Sequence, residues 1–171
     1  MTAPVSFEIT ALDIDQIATA EGRVVLFSDG SDKLDQIARR INKLTRGALG
    51  RGVTSDAFGK LKPGEAMELA WPVGMAASAV QVLRLDRRPD AAAARKAGAA
   101  IGRARNGKDL LLLGGNLKNL HEVMLGIALR DYAFVDHKSK GNEAPDGNVV
   151  VMAAKPEGLA DAAAAVPASQ P

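Results

Sequence analysis

The sequence predicts an α/β fold of three layers, with helices on both faces of a central mixed sheet of about six strands. Three observations carry this. Short apolar runs bounded by turn residues alternate with longer stretches whose apolar residues recur at helical spacing. One run, Leu110 to Leu113, is four consecutive leucines, the pattern of a central strand buried on both faces. The helix expected after Pro89 is faced with alanine and glycine, so it can lie close to a sheet.

The elements follow in order. Val5 to Thr10 alternates apolar and polar residues, as a half-buried strand does, and Arg23 to Ser28 carries the run Val24-Val25-Leu26-Phe27. The turn SDGSD follows, with Asp32 placed to cap a helix whose apolar residues are Leu34, Ile37, Ile41 and Leu44. Gly47 is its expected end. Residues 47–64 are glycine-rich and basic without a clear period, which reads as loop with room for a short helical piece. Ala66 to Trp71 is a strand stopped by Pro72, and Val80 to Leu85 a strand with Val80, Val82 and Leu83 buried. A helix capped by Asp90 runs to about Ala104 with Gly98, Ile101 and Gly102 inward. After the strand Lys108 to Leu113, Gly114-Gly115-Asn116 turns the chain into a helix over Leu117 to Asp131. Its stripe is Leu117, Leu120, Met124 and Ile127, widened by Leu125 and Leu129. Asn148 to Ala153 is the sixth strand. The domain is expected over residues 1–155, and 156–171 form an Ala/Pro-rich tail or the start of a linker.

Composition narrows the chemistry. With no cysteine, disulfides, thiolate metal sites and thiol nucleophiles are excluded, and a cytoplasmic setting is expected. The N-terminus has neither the basic nor the apolar region of a secretory signal, and no apolar run is long enough to cross a bilayer. The formal net charge of +2 does not by itself argue for nucleic acid. The charges are uneven, however: residues 84–108 and 33–62 each hold eight Lys or Arg against two Asp.

Each candidate motif has a competing plain reading. Gly114, Gly115 and Asn116 stand between a strand and a helix start, where backbone N–H groups can hold a phosphate. The segment lacks the dinucleotide and Walker spacings, and a tight turn explains its glycines equally. The glycines around Arg51 follow a helix, the reverse of a phosphate cradle. His121 and His137 are sixteen residues apart and form no metal-binding pair, so both read as surface residues. Ser139 between Lys138 and Lys140 reads as a solvated loop before a Ser–Lys dyad. Arg95, Lys96, Arg103 and Arg105 on one helix could touch a polyanion, without nearby aromatics for base stacking.

Two further segments carry a family resemblance. Residues 126–140 read GIALRDYAFVDHKSK: a small-residue helix with Gly126 and Leu129, the pair Tyr132 and Phe134, then Lys138 and Ser139 in a basic run. Phe58-Gly59-Lys60 is followed by Pro63-Gly64-Glu65. In their order along the chain they resemble the N-terminal domain of the leucyl aminopeptidase, or cytosol aminopeptidase, family, and the order of elements agrees from about residue 5 to 155. Two departures stand out. Asp86-Arg87-Arg88 occupies the place of a glycine-rich turn, and nothing matches the family's catalytic N-T-D-A-E-G-R segment or its metal ligands.

The resemblance implies a macro-domain-like fold. It implies a parent enzyme that removes N-terminal residues from peptides with two divalent metals, zinc or manganese, which polarise the carbonyl and activate water. It implies no catalytic residue and no cofactor in this chain, and a structural role beside a catalytic domain in a homohexamer. Two alternatives stay open: a DNA-binding module using the basic segments, and a module for ADP-ribose or a related nucleotide at Gly114–Asn116. No membrane partner is implied.

Overall fold

The computed structural model describes residues 7–31, 33–105, 108–137 and 147–159, with the backbone alone over 131–137. Six strands form one sheet: β1 Phe7–Ala11, β2 Arg23–Ser28, β3 Ala66–Ala70, β4 Ala79–Arg84, β5 Leu110–Gly115 and β6 Val149–Ala153. Their order across the sheet is β1-β6-β5-β2-β4-β3. Neighbours are parallel except β3, which runs antiparallel to β4 at one edge. The four leucines are in β5, second neighbour to β1 and flanked by β6 and β2. Leu110 and Leu112 join the core on one face of the sheet, Leu111 and Leu113 the core on the other. That two-sided burial is why β5 is apolar at consecutive positions.

Among the described residues, five α-helices cover the faces: α1 Gln36–Leu44, α2 Ala48–Val53, α3 Asp56–Gly59, α4 Ala91–Arg105 and α5 Leu120–His137. Ile37, Ile41, Leu49, Val53 and Phe58 from α1–α3 pack on Val24, Leu26, Val80 and Val82. On the opposite face, Ala94, Ala97 and Ile101 of α4 and Val123, Met124 and Ile127 of α5 pack on Val25, Leu83 and Val151. The α4–α5 contact depends on glycine: a Cβ on Gly98 would stand 2.0 Å from the Val123 carbonyl oxygen, and one on Gly126 2.3 Å from that of Arg95.

Several boundaries differ from the sequence reading, each for a local reason. Asp32 lies outside the described residues, and the cap of α1 is Asp35, whose Oδ1 accepts from the Ala38 N–H at 2.8 Å. Residues 47–64 hold two short helices, α2 and α3. The first is tied to α1 by the Gly50 N–H donating to Asn42 Oδ1 at 2.7 Å, and the second is capped by Ser55. These side-chain bonds replace the periodicity that such short helices cannot display. Asn119, at φ +62, delays the start of α5 to Leu120. Leu129 is 50% exposed, so the buried stripe of α5 is completed by Val123. Tyr132, Phe134 and His137 lie on the α5 backbone, while Lys138, Ser139 and Lys140 lie outside the described residues. Asp90 caps α4 as expected, accepting from the Ala93 N–H at 2.7 Å.

Candidate functional site: a cleft at the strand-order reversal

Strand order locates the site. The chain leaves β2 through α1–α3 toward β3 and β4, and leaves β5 through α5 toward β6 in the opposite direction. β2 and β5 are neighbours, so a crevice opens between their carboxyl ends, where open α/β sheets take their ligands. A cleft of about 590 Å³ lies there, within the range of small-molecule sites. Its walls are Ser28 and Asp29 at the end of β2, Asp35 to Ala38 at the start of α1, Arg87 after β4, and Gly114 to Leu117 at the end of β5.

Gly114, Gly115 and Asn116 are therefore at the mouth of the cleft. Their glycines also have structural reasons. A Cβ on Gly114 would meet Leu120 Cδ2 at 2.2 Å, and Gly115 has φ +54. The carbonyls of Gly114 and Gly115 accept from the N–H groups of Leu117 and Ala154, at 3.1 and 2.8 Å. The turn Asp86-Arg87-Arg88 closes against the same loop, with the Arg87 carbonyl accepting from the Lys118 N–H at 3.0 Å.

Polarity in the cleft is balanced. Lys33 and Arg87 face Asp29 and Asp35 among the lining residues. Three amides of the β2–α1 turn, those of Gly30, Ser31 and Lys33, are already occupied. Ser28 Oγ accepts from Gly30 N–H, Asp29 Oδ1 from Ser31 N–H and Ser31 Oγ from Lys33 N–H, at 2.9–3.1 Å. The Asp35 carboxylate caps α1, so the positive end of that helix dipole already has an anion beside it. Among the described residues, no histidine lines the cleft. The arrangement can seat a polar ligand. A second recess, of about 760 Å³ over β1 and β6, is lined by Glu8, Asp13, Glu21 and Asp109 and, among the described residues, by no Lys or Arg, which opposes an anion there.

The four basic residues of α4 do not act as one surface. Arg105 is a correction to the expected polyanion face: it is 1% exposed, and it donates to the carbonyls of Lys108 at 2.9 Å and Gly147 at 2.7 Å. Its job is to tie α4 to the amino ends of β5 and β6. Arg95 pairs with Glu122 of α5 at 2.9 Å. Lys96 and Arg103 are exposed. His121 is half-buried beside Glu122, its Nε2 3.6 Å from Oε2. Among the described residues, no three His, Asp or Glu side chains converge where a metal could be held.

The sequence reading missed Asp35, Lys33 and Arg87 as cleft residues. Their segments were legible as turns, but their convergence follows from strand order, for which the sequence holds no direct signal.

The fold and cleft define a macrodomain-like α/β domain. Solved structures agree at the level of fold. The Trypanosoma brucei macrodomain in complex with ADP-ribose superposes with a TM-score of 0.61 at 12% identity, over 92% of this chain and 67% of that one. A macrodomain variant from Oceanobacillus iheyensis gives 0.56 at 10% identity, over 94% and 92%. No family model matches the sequence. Two curated relatives do, each described as a probable cytosol aminopeptidase. That of Cereibacter sphaeroides is 48% identical over 160 residues, and that of Dinoroseobacter shibae 38% over 143. These cover 94% and 84% of this chain but 32% and 29% of the relatives, so the chain spans about a third of their length. The resemblance to the N-terminal domain of the cytosol aminopeptidase family is thus matched by these relatives, over about a third of their length. Among the described residues, no helix is long and apolar enough to cross a membrane.

Proposed function

We propose that this domain is non-catalytic and serves a cytoplasmic metallo-aminopeptidase by packing on its catalytic domain and shaping a homohexamer. On this reading the parent removes N-terminal residues from peptides with two zinc or manganese ions held outside residues 1–171, and 156–171 lead toward the catalytic domain. The observation that carries the reading is the asymmetry of the match: nearly all of this chain, but about a third of each relative. The described residues add no converging ligand set that would favour chemistry here. The purified chain is expected not to turn over leucine p-nitroanilide with manganese or zinc present. Turnover that follows the chain through purification would overturn the reading.

The cleft supports a second reading, a site for ADP-ribose or a related nucleotide. Its support is the position of Gly114–Asn116 at the strand-order reversal. Against it stand the Asp35 cap and the occupied amides of the β2–α1 turn. A ligand that binds the folded state raises its melting temperature by mass action, by about 2.7 kcal/mol of stability at one hundred times Kd. An unchanged melting temperature at millimolar ADP-ribose would remove this reading. DNA contact has the least support of the three, since Arg105 is buried and Arg95 is paired. On α4 it would rest on Lys96 and Arg103, along with the basic segment 33–62, and it would show as a gel shift that weakens steeply with salt.

A further inference from the structure

We propose that the turn between β3 and β4, with Trp71 and Val73 at its surface, is where the remainder of a longer cytosol aminopeptidase-type chain docks. The inference rests on the assembly reading above and adds the place of contact. Trp71, the chain's one tryptophan, is 77% exposed and Val73 60%. An exposed valine alone would need no account. A tryptophan in this backbone does. It has φ +49, a left-handed conformation that bulky residues rarely adopt, and it directly precedes Pro72.

The surroundings impose that conformation. The Trp71 N–H donates to the Ser78 carbonyl at 2.8 Å, the Met75 N–H to that of Pro72 at 3.3 Å, and the Ala76 N–H to that of Ala18 at 2.9 Å. Ser78 is held in turn by the Gly22 carbonyl, through its N–H at 2.7 Å and its Oγ at 3.0 Å. Gly74, at φ +83, lies so close to the end of α1 that a Cβ would stand 2.2 Å from the Leu44 carbonyl oxygen. Pro72 and Ala77 are buried beneath. The indole is thus displayed on an ordered turn, and ordering it on contact costs little. Tryptophan is also a residue type on which binding energy concentrates.

Area decides the occupant. Trp71 and Val73 together offer about 300 Å² to a partner, or about 600 Å² counting both sides. Two separate proteins need about 1,200–2,000 Å² for stable association, so a second copy of this chain would not hold on this patch. Contacts between domains of one chain work from about 600 Å², because the tether supplies a high effective concentration. The relative from Cereibacter sphaeroides has such a tethered candidate, since this chain accounts for 32% of its length. The turn precedes β4, so it lies at the end of the sheet away from the cleft, and docking there leaves the cleft open.

Trp71 reports on its own contact. The chain is labelled with fluorotryptophan, free and as a chimera replacing the matching 160 residues of the Cereibacter sphaeroides relative, with Trp71→Phe identifying its resonance. In the free chain a soluble paramagnetic quencher should broaden the Trp71 resonance strongly. In the chimera the resonance should shift, and its broadening should fall at least threefold. Trp71→Gly, which suits a positive φ, should leave the free chain's melting temperature unchanged or raised. In the chimera it should split one calorimetric transition into two. A chimera that hydrolyses leucine p-nitroanilide and melts as one unit, yet leaves Trp71 as accessible as in the free chain, overturns the docking face and spares the assembly reading. A chimera whose two parts melt independently, and whose peptidase activity survives deletion of this chain, overturns both.

Discussion

Arg105 shows how far a residue's type is from its role. In the sequence it is one of eight basic residues over 84–108. In the fold it is 1% exposed and donates to two backbone carbonyls. Hydrogen bonds from a charged donor are worth more than neutral ones, and here the donor itself is buried. Arg105→Ala should therefore lower unfolding stability by about 3 kcal/mol in urea titration. Arg103→Ala, two residues away and exposed, should stay within about 0.5 kcal/mol. Equal effects of the two would contradict the burial. Asp35 permits a test of a different kind. Asp35→Asn keeps a capping side chain and removes a negative charge from the cleft. It should leave stability nearly unchanged and tighten any anionic ligand, read as a larger thermal shift with ADP-ribose. Asp35→Ala should cost about 1 kcal/mol through the lost cap.

At the scale of elements, the α4–α5 pair sets propensity against packing. Glycine inside a helix costs about 1 kcal/mol relative to alanine, so Gly98→Ala and Gly126→Ala would stabilise isolated helices. Here the added methyl would enter the neighbouring backbone, 2.0 Å from Val123 O or 2.3 Å from Arg95 O. Backbone cannot step aside as a flexible side chain can, so overpacking, at about 1–3 kcal/mol, outweighs the propensity gain. Both substitutions should lower the denaturation midpoint. Gly59, whose Cβ would meet nothing within 4 Å, is the control, and Gly59→Ala should be neutral or mildly stabilising. The sequence reading was good at this scale where periodicity is strong. β2 falls on the expected residues, and Ile37, Ile41, Gly98, Ile101 and Gly102 are buried as their spacing predicts. It was weaker for α2 and α3, six and four residues long, which are too short to show a period and are held by Asn42 and Ser55. It also placed Leu129 inward, where the α5 surface turns away from both α4 and the sheet.

At the scale of the whole molecule, the candidate site was only partly legible. Gly114, Gly115 and Asn116 stood out because glycine between strand and helix has few uses. Asp29, Lys33, Asp35 and Arg87 could not stand out, since they come from the turns after β2 and after β4, which meet only once those two strands are neighbours. The same holds for Trp71. In sequence it is the last residue of a strand before proline, and only the folded turn shows its side chain facing outward at φ +49. The molecule as a whole should melt in one transition, because both core clusters share the same sheet. Two separated transitions by calorimetry would contradict that.

The sequence by itself determined the α/β layers, the burial of β5 on both faces, the small-residue helix and, through two segments, the family. These are properties of spacing along the chain, and local sterics and the hydrophobic period write them directly into residue order. The tertiary structure alone decided the strand order β1-β6-β5-β2-β4-β3, and with it the cleft. It also decided that Arg105 is inside and Trp71 outside. Those outcomes depend on which distant segments become neighbours, which is a contest among whole arrangements of the core, and no window of residues records it.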